Sequence, residues 1–226
     1  LWGRRAVADA ARVEALAAPP RALPVSRRLS TSHEERVARR VDFLTDYQDE
    51  AYARRYLALV DEARAAERRV RAAAGGASGA SGAGRASEPE AGAEEAGTVL
   101  ADAVARGFFK LMAYKDEYEV ARLYTQGDFA ERLAAQFEGE FTLRVHLAPP
   151  LFARRDARGL PVKRDYGPWV FAAFRLLARM RRLRGGAFDV FGRTEERRGE
   201  RRMIDEYEAT MRELFAGLDA ERLPIA

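Results

Sequence analysis

The chain has 226 residues, enough for one large domain or two small ones, and a formal net charge of +4. It contains no cysteine, which excludes disulfides, a thiolate-ligated iron–sulfur cluster and a cysteine zinc site from these residues. No apolar run approaches the ~20 residues of a membrane-spanning helix and no charged-then-apolar leader is visible, so the sequence reads as soluble and cytoplasmic.

Of the 39 Lys+Arg, only Lys110, Lys115 and Lys163 are lysines. With abundant alanine, this points to a GC-rich coding sequence more than to arginine chemistry, and the net charge is too modest to argue for nucleic acid. The chain opens at Leu1 in a helical-looking run and stops at LPIA, which reads as a piece cut from a longer polypeptide.

Arg4 to Ala18 carries Val7, Ala11, Ala15 and Ala18 on one helical face, and Pro19 and Pro20 end it. Residues 21–31 read as extended. Ser32 is an N-cap candidate, with Glu34 and Glu35 in the first turn, and His33 is expected at the surface there. Val37, Val41 and Leu44 form one stripe. Tyr52, Tyr56, Leu59, Ala63, Ala66 and Val70 form another after a phase change near Tyr47–Glu50, which predicts two helices or one kinked helix. The two tyrosines suit a core edge, where a ring is buried and its hydroxyl stays wet.

Residues 74–97 are Gly/Ala/Ser-rich, then acidic, and contain no large apolar side chain. They cannot offset the entropy of ordering and read as a flexible insert within one domain. Helical spacing returns from Thr98 through Leu100, Val104, Phe108 and Leu111, and continues from Asp116 to Tyr124. Phe129 to Phe137 is a short helix with Gly139 as its C-cap.

The period then becomes two. Phe141, Leu143, Val145 and Leu147 alternate with Thr142, Arg144, His146 and Ala148, as in a half-buried strand. Residues 156–159 form a turn, and 151–155 with 160–165 would flank it as a small hairpin. Trp169 to Leu183 is amphipathic, with Val170, Phe174, Leu177 and Leu183 inward. AFDVFG is a tight aromatic loop. Arg193 to Leu214 places Met203, Tyr207, Met211 and Leu214 on one face, with Arg201/Asp205 and Arg202/Glu206 as surface pairs. The predicted class is mainly α, an α+β fold whose β part is a minor two-stranded hairpin.

Chemistry-bearing patterns are sparse. There is no GxGxxG and no GxxxxGK[ST], and the glycine-rich insert lacks the strand before and the lysine after that a phosphate cradle needs. Asp116, Glu117 and Glu119 beside Lys115 read as a solvated helix face. His146 lies on the strand face opposite Val145 and Leu147. The clearest asymmetry is electrostatic: residues 144–184 hold 11 Lys+Arg against Asp156 and Asp165 alone. Such a segment either attracts an anion or simply rings an amphipathic helix and hairpin with arginine.

Long aromatic-rich runs carry a resemblance: GFFKLMAYKDEYEVARLYT (107–125), FEGEFTLRVHLAPPLFARRD (137–156), YGPWVFAAFRLLARMRRLRG (166–185) and FDVFGRTEERRGERRMIDEYE (188–208). VDFLTDYQDEAYARRYLALV (41–60) and LWGRRA (1–6) fit the same pattern. Together they resemble the region downstream of the gamma-type catalytic domain in long, fused indolepyruvate ferredoxin oxidoreductases, a family-specific segment of unassigned function near the C-terminus. The resemblance covers nearly the whole chain except 74–97.

It implies a parent that oxidatively decarboxylates aryl 2-oxoacids with thiamine diphosphate, coenzyme A and 4Fe-4S clusters, and that reduces ferredoxin. It further implies that 1–18 ends the preceding catalytic domain, that 19–226 is an accessory helical domain, and that family proteins continue beyond Ala226. No catalytic residue, cofactor motif or metal site carries over onto these positions. The expected partners are the rest of the parent polypeptide, a second copy of the parent, and ferredoxin; neither a membrane nor a nucleic acid is expected. The anion-facing set is Arg144, His146, Arg154, Arg155, Lys163 and Arg164, with coenzyme A phosphates or acidic ferredoxin as the anion. A non-catalytic structural module with no ligand of its own is the competing expectation.

Overall fold

A computed structural model describes residues 29–78, 98–126, 129–137, 139, 141–148, 156–160 and 162–224. The expected helix 4–18, most of the extended segment 21–31, the insert from 79 to 97, the proposed strand 151–155 and with it Arg154 and Arg155 lie outside the described residues. The chain divides into two compact units, Leu1–Ser32 and His33–Ala226, and the helices and strands among the described residues belong to the second.

The fold is mainly helical with one small antiparallel sheet. In chain order the elements are α1 (His33–Tyr47), α2 (Glu50–Ser78), α3 (Val99–Met112), α4 (Glu117–Thr125), α5 (Phe129–Gln136), β1 (Val145–Leu147), β2 (Arg164–Tyr166), α6 (Val170–Arg179), a 3-10 turn (Met180–Leu183) and α7 (Glu195–Ala216). Among the described residues no helix is long and apolar enough to cross a membrane.

Two apolar clusters organise these elements. The larger joins α1, α2, α3 and α7 through Leu44, Tyr56, Leu59, Val104, Phe108 and Ile204, each at most 2 % exposed. The periodic stripes predict Leu44, Tyr56, Leu59, Val104 and Phe108 but not Ile204, and each fully buried large side chain contributes about 1.5–3 kcal/mol. Tyr56 and Tyr207 both stack with Phe108, at 6.1 and 5.7 Å between ring centroids. Gly107 permits this approach of α7, since a Cβ there would stand 2.7 Å from the Tyr207 hydroxyl. The smaller cluster joins α4, β1 and α6 through Ala121, Val145, Val170, Phe174 and Ala178.

Several expectations are corrected. The helical run from Thr98 does not continue into 116–124: it ends at Met112, and Asp116 starts a new helix by accepting the Glu119 N–H at 2.8 Å. Helix α2 extends to Ser78, into the segment read as flexible insert. The β1 strand takes up three of the eight residues in the alternating run. It pairs 145–147 with 164–166, and the expected strand 151–155 lies outside the described residues. The 156–159 turn does form: Asp156 accepts from the Arg158 and Leu160 amides, and Gly159 takes φ +77°.

On α7 the inward stripe runs through Ile204, Glu208 and Phe215, while Met203 is 47 % exposed. Arg202 reaches Glu206 at 3.9 Å as expected, but Asp205 is bonded by Arg55 of α2, and Arg201 bonds the Gly192 carbonyl. His33 is buried rather than at the surface, with Nδ1 2.6 Å from Asp102 Oδ1. Burial pushes the Asp102 carboxyl up, but hydrogen bonds from Arg36 and His33 outweigh it and hold the group below the usual carboxylate range.

Candidate functional site

A cleft of about 510 Å³ opens beside the smaller cluster. One wall is α6, which presents Trp169, Val170, Ala173, Phe174 and Leu177. These fall on one side of a helical projection, so the amphipathic pattern that packs α6 inward also lines the cleft. Leu147 and Tyr166 of the hairpin form a second wall. Val120 and Phe191 close the apolar part, and Lys115, Asp116, Glu117 and Arg197 stand at its polar end. The size lies within the ~300–1,000 Å³ typical of small-molecule sites.

The polar end is built on a buried ion pair. Arg184 donates to Asp116 through Nε at 2.6 Å and Nη2 at 2.8 Å, with side-chain exposures of 2 % and 3 %. Its third nitrogen, Nη1, donates to the Tyr47 carbonyl, and the guanidinium lies 3.6 Å from the Tyr47 ring centroid. Burial raises the Tyr47 phenol well above its ordinary range, although Arg184 opposes the shift. Next in sequence, Glu117 faces Arg197 Nη2 at 3.5 Å, while Arg197 Nη1 holds Glu200 at 2.6 Å. The Asp116 and Glu117 carboxylates are thus engaged by arginines. Lys115 is exposed and has no ion-pair partner among the described residues.

Of the carboxylates read from the sequence as a solvated face, Asp116 and Glu119 are internal and Glu117 is half-buried. Asp116 is 3 % exposed, and Glu119 is 4 % exposed and held by both Arg122 nitrogens at 2.8 and 2.9 Å. The aromatic loop is organised by buried Asp189, which accepts from Gly185 N at 2.7 Å, Gly192 N at 2.9 Å and the Tyr118 hydroxyl at 3.1 Å.

Of the anion set, Arg144, His146, Lys163 and Arg164 do not line this cleft, and Arg154 and Arg155 lie outside the described residues. Cross-strand register pairs His146 with Asp165, away from the face carrying Val145, Leu147 and Tyr166. Asp165 is shared by Arg144 at 3.2 Å and His146 at 3.8 Å, so two members of the anion set already face a carboxylate. Arg184, counted in the basic segment, is buried on Asp116. Lys163 and Arg164 are exposed, with no ion-pair partner among the described residues. The cleft itself escaped the sequence, although its signals are the two flanks of α6 and the aromatic Tyr166 and Trp169 just before it. Among the described residues no group of three His, Asp or Glu stands close enough to hold a metal. With no cysteine, the chain offers no thiolate to a cluster.

Fold and cleft define a two-cluster helical domain with a hairpin-walled ligand-sized cleft. The chain belongs to the DUF6537 family, described as a family of unknown function, whose profile matches residues 33–226. No curated protein and no solved structure matches the chain.

Proposed function

We propose that the chain is a cytoplasmic accessory domain of an indolepyruvate ferredoxin oxidoreductase-like enzyme. In that role it contributes to assembly with the rest of the parent and presents cations to an acidic ferredoxin. The sequence runs that resemble such enzymes support the parent. The observation that carries the contact is the pair Lys163 and Arg164, exposed and unpaired among the described residues at the start of β2. Trp169, just before α6, and Leu176 on it are 65 % and 61 % exposed and follow in the next 13 residues. Exposed cations beside apolar side chains suit a transient protein interface, where charge steers encounter and apolar groups hold it.

Coenzyme A is the less favoured anion. Its phosphates call for convergent donors in a recess, and neither Lys163 nor Arg164 lines the cleft. Thiamine diphosphate and the clusters would be held elsewhere in the parent.

The test is activity of the full polypeptide encoded by the gene. Purified, it is expected to reduce ferredoxin in the presence of an aryl 2-oxoacid and coenzyme A. A polypeptide lacking thiamine- and cluster-binding sequence, or inert in that assay, would leave the purely structural reading.

A further inference from the structure

We propose that the cleft between α6, the hairpin and the start of α4 is a binding site for a monocarboxylate with an apolar body. This goes beyond the accessory role above, whose parent would hold its reacting 2-oxoacid at thiamine, on other domains.

The walls select the body. Ten of the fourteen lining residues are apolar or aromatic, from Val120, Leu147 and Ala148 to Trp169, Phe174 and Phe191. Water in such a space makes few hydrogen bonds, so an apolar ligand gains by displacing it. Trp169 is 65 % exposed at the rim and can fold over a bound chain.

The polar end selects the head. Four charged side chains line it, and three are spoken for. Asp116 is held by Arg184, Glu117 by Arg197, and Arg197 also by Glu200. The second Glu117 oxygen is buried and faces no donor among the described residues. Lys115 is left as the accessible ammonium without a described partner, and its charge calls for an anion. Beside apolar walls, that attraction is stronger than on an open surface. One ammonium matches one carboxylate; a diphosphate or a dicarboxylate would leave charge unpaired against the walls.

The experiment uses the full chain carrying Trp2→Phe, so that Trp169 is its single tryptophan. Decanoate, decanol and decylamine are titrated while Trp169 fluorescence is followed. Saturable binding of decanoate is expected, tighter than decanol by about tenfold, with decylamine weakest. Lys115→Met should erase the preference for decanoate over decanol, and circular dichroism should not change because Lys115 is exposed. Ala173→Phe, which fills the cleft from an exposed helix position, should weaken decanoate and decanol alike. No saturable response, equal affinity for the three heads, or decanoate affinity indifferent to both substitutions would overturn the proposal.

Discussion

Arg184 and Asp116, 68 residues apart in the chain, form a two-bond ion pair at 2.6 and 2.8 Å with almost no exposure of either side chain. The pair joins the two apolar clusters. Asp116 caps α4 of the smaller cluster, and Arg184 reaches the carbonyl and ring of Tyr47 at the end of α1. Removing one partner from a buried pair leaves an uncompensated charge, which costs about 3–5 kcal/mol. Arg184→Met is expected to lower unfolding stability by that amount. Asp116→Asn should cost less than Asp116→Ala, because the amide oxygen still accepts from Glu119 N. Combining Asp116→Asn with Arg184→Met should cost less than the sum of the two, by about 1–3 kcal/mol in a urea-unfolding cycle.

Glu67 on α2 performs the capping that Thr98 does not. Thr98 makes no side-chain cap bond, while the fully buried Glu67 accepts from Val99 N at 3.1 Å, Leu100 N at 3.1 Å and Ala101 N at 3.2 Å. A carboxylate is suited to this, since both oxygens accept and its charge complements the helix dipole. Glu67→Ala should cost roughly 3 kcal/mol. Glu67→Gln should recover little of it, because its NH2 would face donors. Chemical denaturation of the two variants tests this, and protection of the Val99–Ala101 amides from hydrogen exchange should fall in both.

Burial raises the phenols of Tyr47, Tyr52, Tyr56, Tyr114, Tyr118 and Tyr207 above their ordinary range. A group whose folded pKa is raised stabilises the fold below its unfolded value, and that contribution is lost as pH climbs past ~10 toward the folded value. These six should stay protonated in the native protein beyond pH ~10 and ionise together with unfolding. Tyrosinate absorbance and circular dichroism should therefore change in one shared alkaline transition.

The contrast between what is legible in the sequence and what is not has a physical basis. Helical period reveals Val37, Leu44, Tyr56, Leu59, Val104 and Phe108 because each apolar position is reinforced by neighbours three and four residues away. Asp116, Glu67 and Arg184 look like surface charges in any local window. Their partners lie 68 and 32–34 residues off, so only the fold shows that they are internal. The alternation around Val145 indicates a hairpin. Its register stays hidden because three residue pairs, separated by a segment with Pro149, Pro150 and Pro161, leave little pattern to fix it. Met203 is misplaced by periodicity because α7 presents an apolar side chain at both 203 and 204, and the tertiary contacts select Ile204.

Charge reversal at Lys163 and Arg164 in the full-length parent tests the accessory-domain reading most directly. The hairpin cations project from a surface strand, so Lys163→Glu with Arg164→Glu should leave folding and turnover with a small viologen acceptor unchanged. The KM for ferredoxin should rise by about tenfold at low ionic strength, and added salt should narrow the gap from the wild type. A ferredoxin KM equal to that of the wild type at low ionic strength would contradict the account.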